Sequence, residues 1–296
     1  MADRVLVVLD PAGSREVDTA ALVVSATDLG VTRGDGVFEV FGVRVEDDGD
    51  VRLHAADAHL RRLGRSARML DMPAPDTAAF ADAARRAAAG LGLAPGDEGA
   101  VKIVHTRGPE AALDAGAPQP TGWAYAWRLP DMTAMRRDGI TVATISRGYA
   151  RGQADTAPWL LIGAKTLSYA VNRAAEREAR RRGVDEVLFT TSDGHVLEGP
   201  TWTFAARIDG VVVTVPIETG VLPGTTQADA FAWLDAQGVP TAVRDIGVDE
   251  LATADAAWSL SSTELAAPIR ELDGRPVPVD AGLTARLNEA LAARRE

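Results

Sequence analysis

Apolar and polar residues alternate from Val37 to Val45 and again from Val51 to His54, with Asp47-Asp-Gly-Asp50 between them. A period of two broken by an acidic, glycine-containing turn predicts a β-hairpin. The spacing then changes. Leu60, Leu63, Ala67 and Leu70 recur three or four residues apart, which predicts a helix, and Asp76 opens a second, alanine- and arginine-rich helix ending near Gly90-Leu-Gly92. Strands are predicted at Ala100–His105 and Trp123–Trp127. Residues 128–138 contain Pro130 and little periodicity, so they read as a linker between an N-terminal domain, 1–127, and a C-terminal domain, 139–296.

The second half opens with a strand at Ile140–Ile145 and a loop rich in glycine, alanine and proline from Arg147 to Pro158. A long helix is predicted over Thr166–Arg182, supported by a Glu176–Arg180 pair and stopped by Gly183. Glu186–Thr191, Trp202–Ile208 and Val211–Val215 read as strands joined by turns at Ser192–His195 and Asp209-Gly210. A helix follows Pro223-Gly-Thr-Thr226 and ends at Gly238, Ala256–Ser261 is a buried strand, and Ala281–Arg294 is a terminal amphipathic helix. Strands and helices mix in both halves, which predicts an α/β (α+β) protein of two domains.

Composition narrows the chemistry. The 296 residues carry 42 acidic against 31 basic side chains, a net charge of −11, and that field repels nucleic-acid backbones and anionic lipid. No nucleic-acid or membrane partner is expected. The first apolar run, Val5–Leu9, is closed by Asp10-Pro11, too short for a signal peptide, and no stretch approaches the ~18 apolar residues that span a bilayer, so the expected location is cytoplasmic. Cysteine is absent, which removes disulfides, thiolate metal sites and cysteine nucleophiles together. His54 and His59 lack the i,i+4 spacing of a helical zinc pair and G-x-S-x-G is missing, so no metal is expected and serine hydrolysis has no motif. Of the basic residues only Lys102 and Lys165 are lysines. Lysine can lose its proton when buried and form a Schiff base, whereas arginine cannot, so at least one of the two positions is expected to need an amine.

Lys165 follows the apolar run Pro158-Trp-Leu-Leu-Ile-Gly-Ala and opens the long predicted helix. Desolvation and the positive end of that helix would both lower its pKa, as a Schiff-base lysine requires. A lysine snorkelling at a helix end is the alternative. Glu198, between a strand and Gly199-Pro-Thr201, is either a crevice carboxylate or a solvated turn. Gly220-Val-Leu-Pro-Gly-Thr-Thr-Gln227 is a tight turn opening a helix, an anion cradle suited to a phosphate or a plain helix cap. Ser261-Ser-Thr263 ends a buried strand with three hydroxyls, and His59-Leu-Arg-Arg-Leu63 sets two arginines on a helix with a leucine face. Arg33-Gly-Asp-Gly36 looks like a phosphate loop, but no helix is predicted after it, which excludes the dinucleotide reading.

Taken in order, Asp28-Leu-Gly-Val-Thr-Arg-Gly-Asp-Gly-Val-Phe-Glu39, His59-Leu-Arg-Arg-Leu63, Ala164-Lys-Thr-Leu-Ser-Tyr169, Glu186-Val-Leu-Phe, Val196-Leu-Glu-Gly199, Gly220-Val-Leu-Pro-Gly-Thr-Thr226 and Ser261-Ser-Thr263 resemble the fold-type IV pyridoxal-phosphate enzymes, the class IV aminotransferases. The resemblance spans nearly the whole chain. It implies a small N-terminal α/β domain, a larger C-terminal domain, a cofactor cleft between them, and a homodimer. It assigns Lys165 the Schiff base with pyridoxal 5'-phosphate and the proton shuttle, and Glu198 the pyridine nitrogen. Arg62, Thr225, Thr226 and Ser262 would bind the phosphate, with Thr201 and Thr263 in the same cofactor set. Phe38 and Glu39 would line the substrate side. In the D-amino-acid aminotransferases an arginine and a histidine follow the Arg-Gly pair and clamp the substrate carboxylate, but after Arg107-Gly108 this chain has Ala112 and Asp114. Arg33, Arg147 or Arg151 would have to replace them. The expected activity is D-amino-acid transamination with amino-acid and 2-oxo-acid substrates, the alternatives being aminodeoxychorismate lyase, then branched-chain L-amino-acid transamination, with a non-catalytic cofactor-binding protein behind them.

Overall fold

A computed structural model describes residues 3–10, 13–46 and 49–294; Asp47 and Asp48 of the predicted turn lie outside the described residues. The chain divides into two compact units, one holding the chain up to Pro130 together with Ala164–Tyr169, the other Asp131–Gly163 and Ala170–Arg294.

In the first unit the strands are β1 (Arg4–Asp10), β2 (Gly13–Val17), β3 (Gly36–Val45), β4 (Val51–Leu53), β5 (Glu98–Thr106) and β6 (Thr121–Arg128). They form one antiparallel sheet in the order β2-β1-β6-β5-β3-β4. Its helices are α1 (Leu29–Thr32), α2 (Ala56–Met69), α3 (Thr77–Gly90) and α4 (Glu110–Asp114). Strand alternation sends Val37, Phe41, Val43, Val101 and Ile103 to the face that α2 and α3 cover, and all are buried. Ala83, Ala84 and Ala87 of α3 are fully buried, so small side chains let that helix lie close to the sheet. Buried Asp28 caps α1 through Gly30 N–H and accepts from Thr106 Oγ1 (2.9 Å) and Thr121 Oγ1 (2.8 Å), tying the lead-in of β3 to β5 and β6.

The second unit is built on α5 (Thr133–Asp138), β7 (Ile140–Ser146), α6 (Gln153–Thr156), α7 (Ala170–Arg182), β8 (Glu186–Thr190), β9 (Thr203–Ile208), β10 (Val211–Thr214), α8 (Thr225–Ala236), β11 (Thr241–Val243), β12 (Ala256–Ser261), β13 (Leu265–Leu272), β14 (Arg275–Pro276) and α9 (Ala281–Ala293). Its sheet runs β11-β10-β9-β12-β13-β7-β8, with β14 on β13; β13–β7, β7–β8 and β10–β11 are parallel pairs. Alternation divides the sheet's side chains between two cores. Phe204, Ala206 and Ala257 join Leu188, Leu197 and Ile269 on one side, while Ala205, Trp258 and Leu260 meet Leu234 of α8 and Leu283, Leu287 and Leu291 of α9. The architecture is mixed α/β, as the residue pattern predicts.

Several elements differ from expectation. The stretch read as a linker, 128–138, contains the boundary between the units after Pro130, but it also holds the end of β6 and all of α5. Strand β13 was not predicted, because Leu265-Ala-Ala-Pro-Ile-Arg-Glu-Leu272 lacks a period of two and contains Pro268. Glu176 pairs with Arg173 rather than Arg180. Helix α7 starts at Ala170, not Thr166, because residues 165–167 bond to β3 instead. No helix among the described residues is long and apolar enough to cross a membrane.

The start of β8 carries a carboxyl with a pH signature. Glu186 accepts from Trp202 Nε1 at 3.3 Å, and its burial, with the negative Glu264 and Glu176 adding to it, pushes the Glu186 pKa up to about 7. Burial likewise raises Glu264, against the hydrogen bond from Ser261 and the charge of Arg136. A carboxyl raised in the folded state contributes stability that is fully present below its ordinary value near 4.5 and is lost as pH rises through about 7. Glu186→Gln is therefore expected to flatten the fall in melting temperature between about pH 5 and pH 8, removing at most about 3 kcal/mol of pH-dependent stability. Parallel wild-type and variant profiles in differential scanning calorimetry would exclude this.

Candidate active site

Lys165 belongs to a segment that runs as an extra strand along β3. Phe38 N–H donates to the Lys165 carbonyl (3.1 Å), Leu167 N–H to the Gly36 carbonyl (2.8 Å), and Lys165 N–H to Ser66 Oγ of α2 (3.1 Å). Val37 and Thr166 form an antiparallel bridge, so Lys165 opposes Phe38 and shares its face of the sheet. Its Nζ stands 4.7 Å from the centroid of the Phe38 ring, and the Tyr169 ring meets the same phenyl edge-on at 5.3 Å. This corrects the expected setting. The helix begins five residues later, so no helix N-terminus acts on the amine, and it is the backbone pairing that fixes where the side chain starts.

Glu39 points the other way. Adjacent residues of a strand face opposite sides, and Glu39 lies fully buried on the helix-covered side, so it does not line the substrate side with Phe38. Its carboxylate takes Arg62 in two parallel bonds, Nε to Oε1 and Nη2 to Oε2, both 2.7 Å, and His59 Nδ1 lies 2.7 Å from Oε2. An ionised carboxylate only accepts, so His59 Nδ1 carries the proton. Burial opposes ionisation, but Arg62 and His59 outweigh it and hold Glu39 down at about 2. Arg62 sits one helical turn before Ser66, hence on the same face of α2 as the residue that binds the Lys165 amide.

In the second unit Glu198 is half-buried after β8, where Phe189 N–H donates to its carbonyl (2.9 Å) and Leu222 N–H to its Oε2 (3.0 Å). Arg147 lies over the Phe189 ring at 4.8 Å and hydrogen-bonds the Tyr149 hydroxyl. Burial pushes the Tyr149 phenol up, the charge of Glu198 adds to this, and Arg147 opposes it. Arg147 therefore stands in the surroundings of Glu198. The turn before α8 ends in Gly224, which supplies no side-chain cap and whose added Cβ would collide with Thr203 Oγ1. The first bond of α8 is Ala228 N–H to the Gly224 carbonyl (3.0 Å), which leaves the amides of Thr225, Thr226 and Gln227 without intrahelical partners. Thr226 Oγ1 is buried there with no hydrogen-bond partner among the described residues.

The remaining expectations separate. Arg151 donates to Asp193 (3.1 Å) and Asp245 (2.9 Å) at the surface, so its guanidinium is already paired. Arg33 is exposed at the end of α1 and has no ion pair among the described residues. Thr201 is exposed in the turn closed by Gly199 N–H and the Trp202 carbonyl (2.9 Å). Ser262 and Thr263 occupy the β12–β13 turn, where the Thr263 carbonyl accepts from Arg136 Nη2 at 3.0 Å. Arg107 is spent on Asp35 and on the carbonyls of Leu70 and Asp71. Sequence reasoning missed Ser66, Tyr149 and the Leu222 amide, although the four-residue step from Arg62 to Ser66 was visible.

The model of the amino-transferase class IV family matches residues 36–272. The chain belongs to the class IV aminotransferases. It is 38% identical to the bifunctional aminodeoxychorismate lyase / D-amino acid transaminase of Mycobacterium tuberculosis, over 86% of this chain and 88% of that protein. Among solved structures it is similar to the fold IV transaminase CpuTA1 of Curtobacterium pusillum, with TM-score 0.89, 45% identity, and 98% of this chain and 99% of that one covered. It is also similar to a Mycobacterium tuberculosis aminotransferase solved with alpha-ketoglutarate and PMP, with TM-score 0.88, 36% identity, and coverage of 97% and 98%.

As a class IV aminotransferase the protein is a pyridoxal-phosphate enzyme, an aminotransferase or lyase. Its residues fit that cofactor. The orphaned Thr226 hydroxyl beside the first-turn amides of α8, which have no intrahelical partners, would suit an anion, and a phosphate is one that such a helix N-terminus accepts. Glu198, its carboxylate held by a backbone amide, would suit the ring nitrogen, and Lys165 would suit the covalent bond.

Proposed function

We propose that the protein is a D-amino-acid transaminase moving an amino group between a D-amino acid and a 2-oxo acid. The observation that carries this reading is the 38% identity with a protein named as a D-amino acid transaminase, together with the Val-Phe-Glu of β3, which resembles transaminases more than lyases. Bound pyridoxal phosphate supplies the electron sink that acidifies the substrate Cα–H bond. Lys165 binds the cofactor covalently, then holds and returns the proton at substrate Cα. Glu198 keeps a proton on the ring nitrogen, aided by the Leu222 amide that fixes its carboxylate. Arg62 and the α8 start, with Thr225, Thr226 and Ser262, take the phosphate, and Phe38 is the apolar wall beside the reacting amine. The double name of the same relative favours aminodeoxychorismate lyase as the second reading.

A half-reaction panel followed by the cofactor's absorbance tests this. D-alanine and D-glutamate are expected to convert the bound cofactor, with high KM because the usual clamp residues are replaced by Ala112 and Asp114. Conversion by L-leucine with D-alanine inert would give the branched-chain activity, and pyruvate release from aminodeoxychorismate far faster than any transamination would make the lyase primary.

A further inference from the structure

Glu186 opens the motif Glu186-Val-Leu-Phe189, and no step of the reaction uses its carboxyl directly. Strand β8 nevertheless holds the stretch from Glu198 to Trp202 at both ends. At its Phe189 end the hold is backbone: Phe189 N–H donates to the Glu198 carbonyl and Leu197 N–H to the Phe189 carbonyl, both at 2.9 Å. At its Glu186 end the hold is a side chain, Trp202 Nε1 donating to Oε2 at 3.3 Å.

Gly199 lies between these two holds. Its φ is not left-handed, so the backbone itself would accept other residues, yet an added Cβ would collide with Cε2 and Nε1 of the Trp202 indole. The edge of the indole therefore lies against the Gly199 backbone. Gly199 N–H also donates to the Trp202 carbonyl at 2.9 Å, and Asn172 Nδ2 of α7 donates to the Pro200 carbonyl at 2.7 Å. Trp202 is 3% exposed and packs in the core with Leu188, Leu197 and Phe204. A buried indole N–H needs an acceptor, and Glu186 is the one it has.

A carboxyl is a costly acceptor here. The charges acting on Glu186 are those of Glu264, in the β12–β13 turn, and of Glu176 on α7, which is paired with Arg173; Arg136 of α5 acts on Glu264. No cation pairs with Glu186 among the described residues, and burial raises both Glu186 and Glu264. The Leu222 amide fixes the tip of the Glu198 side chain, while the indole fixes the backbone just beyond its root. A small misplacement of a group that meets the reacting system is expensive in rate, so this root matters.

We propose that Trp202 and Glu186 are positioning residues: the indole, anchored by Glu186, braces the Gly199 backbone and so aims the Glu198 carboxylate at the cofactor ring. The proposal rests on the role given to Glu198 in the transaminase reading. In the D-alanine reaction of the holoenzyme, Trp202→Phe keeps the ring and loses its N–H, and its kcat is expected to fall about three- to tenfold. KM and cofactor affinity should move less than about twofold. Because the effect passes through Glu198, it is expected to shrink below about twofold when Glu198→Gln is already present. Glu186→Leu should lose as much as Trp202→Phe, and Glu186→Gln, whose amide oxygen still accepts, should regain most of it. A second measurement needs no turnover. With isotope-labelled tryptophan, the indole N–H resonance missing from Trp202→Phe is expected to titrate near pH 7 in the wild type and not in Glu186→Gln. An equal loss with and without Glu198→Gln overturns the proposal, and so does an indole resonance indifferent to Glu186. If D-alanine leaves the wild-type cofactor unconverted, the transaminase reading fails, and the same ratios are read with L-leucine or aminodeoxychorismate. Should Glu186→Leu not fold, Trp202→Phe and its double variant decide alone.

Discussion

Lys165→Ala is expected to bind pyridoxal phosphate without forming a covalent bond to it and to lose at least about 10⁴-fold in turnover. The amine serves twice, as the covalent anchor of the cofactor and as the group that carries the Cα proton. Positioned proton transfer alone contributes about 10²–10⁴-fold, and the loss of covalent catalysis adds to it. Borohydride reduction of the wild-type holoenzyme, followed by peptide mapping, is expected to place the label on Lys165. Lys102 is a real competitor, because its Nζ is as close to the Phe38 ring. Both backbones are fixed, residues 165–167 by the bonds from Phe38, to Gly36 and to Ser66, and Lys102 between β3 and β6, so the position of the label decides between the two amines. A label on Lys102, or an alanine variant with wild-type turnover, would remove Lys165 from the chemistry.

Much of this arrangement was legible in the residues, and the misses have physical causes. Period-two alternation located β3, period-3.6 spacing located α2, and Asp76 is the residue that caps α3. The same alternation also forbids Phe38 and Glu39 from facing one substrate, since neighbours in a strand point apart. That inference was available from sequence, whereas the partner that neutralises Glu39, Arg62, lies 23 residues on. Thr166-Leu-Ser-Tyr169 reads as a helix start because local propensity has no knowledge of β3, and pairing with that strand overrides it. Arg151 looked available for the same reason: its partners Asp193 and Asp245 are 42 and 94 residues away and meet it only in the folded unit. Tertiary pairing therefore decides which of the charged candidates are already engaged in the folded chain.

The second large effect is expected at Glu198. Glu198→Gln keeps the shape of the side chain, and a glutamine oxygen can still accept from the Leu222 amide, so the protein should fold and bind cofactor. What changes is charge. A carboxylate stabilises a protonated pyridine nitrogen, whereas a neutral amide does not, and an unprotonated ring is a poorer sink for the electrons released at Cα. The neighbours leave no substitute among the described residues of this cluster: Tyr149, with its phenol pushed up, stays neutral at working pH, and Arg147 is a cation. Turnover is therefore expected to fall about 10²–10³-fold, a loss of roughly 3–4 kcal/mol in transition-state stabilisation. The cofactor's dissociation constant should move much less. Stopped-flow rates of the D-alanine half-reaction and fluorescence titration of pyridoxal phosphate separate the two quantities. Near-normal rates in Glu198→Gln would make Glu198 a turn carboxylate held by Leu222 and nothing more. Weak cofactor binding at normal rates would move its contribution from the electron sink to anchoring.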